Sequence, residues 1–206
     1  GVPYSYYQWG IYYRKDIYDT LGLSEPKTWD DLLANCDKMK SNGVTPFTIG
    51  TKYLWTAAGV FDYLNLRTNG YDVHNALTAG EIKYTDPRIK ATFANWSTML
   101  DRCSFVDNHA SMSWQDAIAP FANGDAAMYV MGNFSVDGYK NAGLTEDQID
   151  FFQFPAITPG VALAEEAPAD AFFIPSGAKN KDAARKFLAF IAQPEIQGPW
   201  NATIGQ

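Results

Sequence analysis

Residues 28–49, TWDDLLANCDKMKSNGVTPFTI, contain a helix, its stop and a strand. Thr28 precedes Trp29 and the acids Asp30 and Asp31, an N-cap followed by carboxylates in the first turn, where they favour the positive end of the helix dipole. Trp29, Leu32, Leu33, Cys36 and Met39 recur every three or four residues and mark one buried face of a helix running to about Ser41. Gly43 supplies the stop, and Val44–Ile49 reads as a buried strand.

The same alternation extends in both directions. Upstream, Ile11–Arg14 has strand character and runs into a short helix, Lys15–Leu21, closed by Gly22. Downstream, a helix begins near Thr56. Asp86-Pro87 opens another to about Arg102, with Ile89, Phe93, Trp96 and Leu100 as its apolar stripe. Ser113–Ala122 is a further amphipathic helix, and Gly124 separates it from Ala126–Met131, a central strand. Phe151–Phe154 and Phe172–Ile174 read as strands, Asp182–Ala192 as a helix with Ala184, Phe187, Leu188 and Ile191 on one face, and Pro194 opens a second short helix. Strands alternating with helices define an α/β fold, whose ligands sit outside the carboxyl ends of the strands.

The 206 residues, 47% hydrophobic, are enough for one large domain or one domain and part of another. A net charge of -7 has the wrong sign for tracking a phosphate backbone, so no nucleic-acid partner is expected. No apolar run approaches a membrane span. Residues 1–13 lack the basic start and cleavage site of a signal peptide, which decides nothing about compartment. Two cysteines far apart and two histidines, His74 and His109, make a metal site improbable. Cys36 and Cys103 read as two buried thiols, with a disulfide as the alternative in an oxidising compartment. Phosphate loops and dinucleotide fingerprints are absent, so no cofactor is expected. Ser24-Glu-Pro-Lys27 and Ser176-Gly-Ala-Lys179 lack the companion motifs of acyl-serine enzymes, and no nucleophile motif accompanies His109, so no catalytic residue is assigned.

Aromatic residues carry the candidate chemistry. Tyr4, Tyr6, Tyr7, Trp9, Tyr12 and Tyr13 crowd the first thirteen positions. An aromatic ring with a polar edge suits a sugar, whose C–H face stacks while its hydroxyls exchange hydrogen bonds. On a strand Tyr12 and Tyr13 point to opposite faces, so at least one belongs to the core, and burial explains Tyr4 and Tyr6 equally well. Tyr7 and Trp9 are the better site candidates, with Tyr6 behind them. Tyr53 and Trp55 follow the strand at 44–49 on the ligand side of the sheet, and Trp55 on its loop is a stacking candidate. Asp62 follows on the helix as a hydroxyl acceptor, although a solvated charge is the commoner role. Gly132-Asn133-Phe134 repeats the pattern after the strand at 126–131, with a capping turn as the competing reading. His109 and Asp170 complete the candidates, His109 as a group that orients ligand or serves as a base.

Four blocks in order resemble the family 1 extracellular solute-binding proteins. They are Val2–Asp16 with its Tyr-x-Lys-Asp ending, Pro26-Lys-Thr-Trp-Asp-Asp-Leu32, the Phe121/Gly124/Ala126-Ala-Met128 block followed by Gly132-Asn-Phe134, and Ile174–Gln197 with Ala-Ala-x-x-Phe-Leu and Pro194-Glu195. The resemblance implies a type II periplasmic-binding-protein-like fold: two α/β lobes, with a carbohydrate bound between them and closure recognised by the permease of an ABC transporter. It implies a binding protein rather than an enzyme, located in the periplasm or outside the cell, with a lipoprotein anchor in the full-length form among the expectations, and a monomer when full length. Residues 1–165 map to the second lobe, and 166–206 to a crossing strand and helices returning to the first. Members normally begin with a whole lobe ahead of this segment and continue past its end, so a piece of a longer protein, binding sugar weakly by itself, is expected. The alternative is a carbohydrate-active hydrolase, which would need two carboxyl groups flanking the scissile bond; a third reading uses the aromatics as a contact patch.

Overall fold

The computed structural model describes residues 1–204, and of Ile204 the backbone alone. The chain divides into two compact units. Unit 2 comprises residues 9–131 and 135–166; unit 1 comprises residues 1–8, 132–134 and 167–206, so the return segment expected from 166 shares its unit with the first eight residues.

Unit 2 is built on a four-stranded sheet of order β3-β4-β2-β5, with β2 Trp9–Arg14, β3 Thr45–Thr48, β4 Ala126–Gly132 and β5 Ile149–Phe152. Strands β3 and β4 run parallel, with Phe47 opposite Met128, while β5 closes the edge antiparallel to β2, with Ile11 opposite Phe152. All residues of β2 and β4 are buried, Tyr12 and Tyr13 included, as expected of central strands covered on both faces.

The helices α1 (Lys15–Leu21) and α2 (Trp29–Ser41) follow the sequence closely. Thr28 Oγ1 accepts from the Asp31 amide at 3.2 Å and the Asp31 carboxylate accepts from the Thr28 amide at 3.0 Å, a reciprocal capping box. The buried residues of α2 are the five expected from its spacing. In α5 (Pro87–Cys103) the cap and the proline at the first turn stand as expected, but the packed seam is Ile89, Thr92, Met99 and Cys103. Phe93 and Leu100 of the expected stripe are exposed instead. The cause is local: Cys103 is bonded to Cys36 of α2 with 4.8 Å between their Cα atoms, which turns the Cys103 side of α5 inward. The two cysteines are thus a disulfide and not the two thiols expected. Phe93 stacks on Trp96 at the rim, 6.3 Å apart and 5° from parallel, against Phe61.

Helix α3 (Trp55–Asn69) is buried on most of its circumference and packs on α4 (Tyr71–Thr78) and α5. The expected helix at 113–122 shortens to α6 (Ile118–Asn123), because Ser113 and Asp116 exchange side-chain and backbone hydrogen bonds that close a turn ahead of it. After β4 come a 3₁₀ turn at 133–135 and α7 (Val136–Asn141), the strand-to-helix turn that competes with a ligand role at 132–134, with Ser135 rather than Asn133 at the N-cap of the helix.

In unit 1, β1 (Val2–Tyr6) pairs antiparallel with β6 (Ala169–Phe172), Tyr6 lying opposite Ala169. This pairing places the strand three residues ahead of the expected 172–174 and makes a strand of the first aromatic residues. Helices α8 (Lys181–Ile191) and α9 (Pro194–Ile204) lie against β1, and Gln197 donates to the Pro3 carbonyl at 2.9 Å.

Candidate functional site

In unit 2 three of the candidate residues, with Gly59, gather along α3. Trp55, Gly59 and Asp62 are spaced i, i+4, i+7 and share one face of the helix. The Trp9 ring lies on Gly59 so closely that a Cβ there would come within 2.5 Å of it, so glycine is required at this position. Trp9 then meets Trp55 edge to face, with ring centroids 5.8 Å apart at 83°. Trp9 is 4% exposed and Trp55 37%. The two sequence candidates therefore come together with divided roles: Trp9 is the buried brace and Trp55 carries the accessible ring.

The brace is held by its own backbone. The Trp9 amide donates to the Glu166 carbonyl at 2.9 Å, and its carbonyl accepts from the Tyr63 hydroxyl. Tyr63 also donates to the Glu165 carboxylate at 3.0 Å. One turn further along α3, the buried Arg67 donates to the carbonyl of Phe154 at 2.7 Å, to that of Ala164, and to the Glu165 carboxylate at 2.5 Å. Residues 164–166 are thereby strapped to α3 with Trp9 fastened to the strap. Burial pushes the Glu166 carboxyl up to about 7, and the neighbouring charge of Asp62 adds to the effect. Burial also raises Asp62, against a lowering influence of His74. Asp62 is thus a half-buried acid coupled to a second one. None of Tyr63, Arg67, Glu165 and Glu166 was singled out from the sequence. The available signal was the Tyr63/Arg67 pair at i, i+4 on a helix otherwise apolar on most sides, since a buried guanidinium demands acceptors.

Tyr53 lies apart from this row, 62% exposed with the Lys52 ammonium 5.4 Å from its ring centre. His109 is engaged with the loop after β3: its Nδ1 is 2.8 Å from Thr51 Oγ1 and its carbonyl accepts from the Thr51 amide. It borders a cavity of about 510 Å³ lined by Ile49, Leu54, Val60, Trp96 and Phe105. Ala57 and Val60 reach that cavity from a different face of α3 than Trp55 and Asp62 do, so His109 does not join the row.

Unit 1 holds a second group. Tyr7 packs edge-on against Phe134 with centroids 5.0 Å apart, and the Asn133 amide donates to the Gln8 carbonyl at 3.0 Å, joining the turn after β4 to the end of β1. The Asp170 carboxylate, on β6, accepts from the hydroxyls of Tyr7 at 3.3 Å, Tyr4 at 3.4 Å and Ser5 at 3.5 Å. These bonds are long, at the weak end for a carboxylate. Burial first, and then Asp170, raise the Tyr7 hydroxyl above its ordinary value and keep it a donor. The side chain of Asn133 is exposed, and Tyr6 is fully on the surface at 72%. Tyr7, Phe134 and Asp170 thus form a ring–ring–carboxylate group, and Tyr6 stands outside it.

Both groups combine flat rings with carboxylates, a chemistry suited to a polyhydroxylated ring. Among the described residues no cluster of three or more potential metal-ligating side chains occurs, and no helix is long and apolar enough to cross a membrane.

The profile of the bacterial extracellular solute-binding proteins matches residues 2–198, and the chain belongs to that family. An uncharacterised ABC transporter extracellular-binding protein of Pyrococcus horikoshii is 34% identical over 197 residues, 95% of this chain and 43% of that protein. The multiple sugar-binding protein of Streptococcus mutans is 26% identical over 93% of this chain and 46% of its own length. Among solved structures, the bacterial solute receptor AcbH superposes with a TM-score of 0.82 at 33% identity, covering 98% of this chain and 51% of that one; it is described as having an exclusive preference for β-D-galactopyranose. The chain spans about half the length of the relatives it matches. The type II solute-binding fold and its extracytoplasmic setting follow from the family.

Proposed function

We propose that this chain is the ligand-gripping part of an extracytoplasmic solute-binding protein that collects a sugar for an ABC transporter permease and performs no catalysis on it. Trp55 carries this reading: a partly exposed indole, braced edge-on by a buried tryptophan, with a carboxyl group two turns along the same helix face. A sugar ring stacks on such a face, and its hydroxyls donate to Asp62. Tyr7, Phe134 and Asp170 supply an equivalent set in unit 1, with Asn133 beside them as a donor and acceptor. Unit 2 is the larger part of the family's second lobe, and residues 166–206 belong to the return toward its first lobe; the full-length protein works as a monomer. The similarity to a receptor described as preferring β-D-galactopyranose makes a hexopyranose the first ligand to try. Calorimetric titration with D-galactose, maltose, raffinose and xylobiose tests the reading. Saturable binding to one of them, weakened about tenfold or more by Trp55→Ala, is expected. Release of a cleaved product from any glycoside offered, or unaltered binding in Trp55→Ala, overturns it.

A further inference from the structure

The cavity beside His109 lies outside the Trp55 row. Its walls come from Ile49 and Leu54 after β3, Ala57 and Val60 of α3, Trp96 and Leu100 of α5, and the segment 104–109 that follows α5. Its volume of about 510 Å³ falls among those of small-molecule pockets, roughly 300–1,000 Å³.

Three features mark it as a built site. Among the described residues only Leu54 and Ser104 combine a side chain with positive φ, at 65° and 49°, and both line this cavity. Such backbone is strained and persists only where its surroundings over-determine it. Leu54 is 72% exposed, so burial of its side chain does not offset the strain. The aromatic walls are fixed in advance: Trp96 is 5.9 Å from Phe61 and 6.3 Å from Phe93 between ring centroids, and Phe105 stacks on Phe47 at 5.4 Å. Polar groups meet at the side formed by 104–109. Thr51 holds the His109 imidazole at Nδ1, leaving Nε2 as its other hydrogen-bonding atom. Asp107 alone among the described lining residues carries a fixed charge, and it makes no ion pair among the described residues.

We propose that this cavity is a second ligand site, which takes an aromatic ring carrying an ammonium group on a short chain. Apolar and aromatic walls suit the ring, and the single carboxylate, with no lysine or arginine beside it in the lining, sets the sign of the charge. The site is independent of the sugar reading, because Ala57 and Val60 line it from a different face of α3 than the one that bears Trp55 and Asp62.

The test is calorimetric titration of the 206-residue chain with tryptamine at neutral pH. Saturable binding to one site is expected. Indole-3-acetate, the same ring with the opposite charge, should bind about tenfold more weakly or worse, and Asp107→Asn should weaken tryptamine by a similar factor. Ala57→Phe, which fills the cavity from α3, should abolish binding, and Trp55→Ala should leave it unaltered. Absence of saturable binding, equal affinity for tryptamine and indole-3-acetate, or full affinity in Ala57→Phe overturns the proposal. Loss of tryptamine binding in Trp55→Ala also overturns it, since the ring would then sit on the Trp55 face. A dimer in size exclusion that Leu100→Asp dissolves would give the mouth of the cavity to a second copy of the chain, against the proposal. D-galactose titration of the same samples tests the sugar reading separately, and its failure leaves a tryptamine site standing.

Discussion

The two units use the same kinds of side chain in opposite ways. In unit 2, Phe47, Tyr63, Phe121, Tyr129, Tyr139 and Phe154 are fully buried. In unit 1, Phe173, Phe187, Phe190 and Trp200 are each more than half exposed, and among the described residues every apolar side chain counted in the core lies in unit 2. Yet α8 is as clearly amphipathic as α2. Periodicity identifies the face that has to be covered and says nothing of what covers it. In α2 the cover is α5 and β3; in α8 no residue of the helix is buried. Unit 2 should therefore respond to core substitutions as an independent cooperative body, and unit 1 should respond weakly.

The largest effect expected in unit 2 comes from Arg67. Its guanidinium satisfies two carbonyls and a carboxylate with no exposure of its own. Arg67→Ala strands those acceptors and frees the strap, at a cost of about 3–5 kcal/mol in urea unfolding, as for a buried pair broken from one side. A loss of under about 1 kcal/mol would show that the strap is held by other means. Second comes the disulfide between α2 and α5, which closes a loop of 67 residues. Paired Cys36→Ala and Cys103→Ala substitutions should cost about 2–4 kcal/mol, because the unfolded chain regains the entropy of the open loop. Thiol titration of the unfolded, unreduced chain, which should find no free thiol, is the direct check. Third is Thr28→Ala, which removes one half of the capping box and should cost about 1 kcal/mol in the same assay.

Those three features differ in how far they could be read from the sequence, and the reasons are physical. The capping box is local: Thr28 and Asp31 are three residues apart, and the backbone between them fixes their geometry. Likewise the order of elements from β2 to β4 follows from short-range periodicity, apart from the short α4 (Tyr71–Thr78), which the sequence pattern does not mark. The disulfide joins residues 67 apart, so nothing in the local sequence brings the two cysteines together, and they read as two buried thiols with the bond as the alternative. The Arg67 strap spans nearly a hundred residues. The site shows the same division. Trp55, Trp9 and Asp62 can be named from the sequence as aromatics and an acid, and the fold brings Trp9 against Trp55 and sets Asp62 on the same face of α3. That Trp9 is the brace and Trp55 the exposed ring depends on Gly59 leaving room for an indole, which only the packed helix reveals. The stripe of α5 was misread for a related reason. Phe93 and Leu100 have helical spacing with Ile89, but the bond at Cys103 rotates the buried seam away from them.

The smallest effect belongs to unit 1 and bears most directly on the contrast between the units. Phe187 sits on the apolar stripe of α8 at 55% exposure. If its ring is as free in solution, Phe187→Ser changes the unfolding free energy of this chain by no more than about 0.5 kcal/mol, the range of ordinary surface substitutions. A buried phenylalanine would cost several times as much, since truncating an aromatic in a packed core removes about 3–5 kcal/mol. Phe154 of unit 2, fully buried against Tyr63 with ring centroids 5.2 Å apart, is the matched control in which Phe154→Ser should show the large value. Equal losses at the two positions would mean that the α8 stripe is covered in solution, and a size-exclusion measurement on the same samples would show whether a second copy of the chain does the covering.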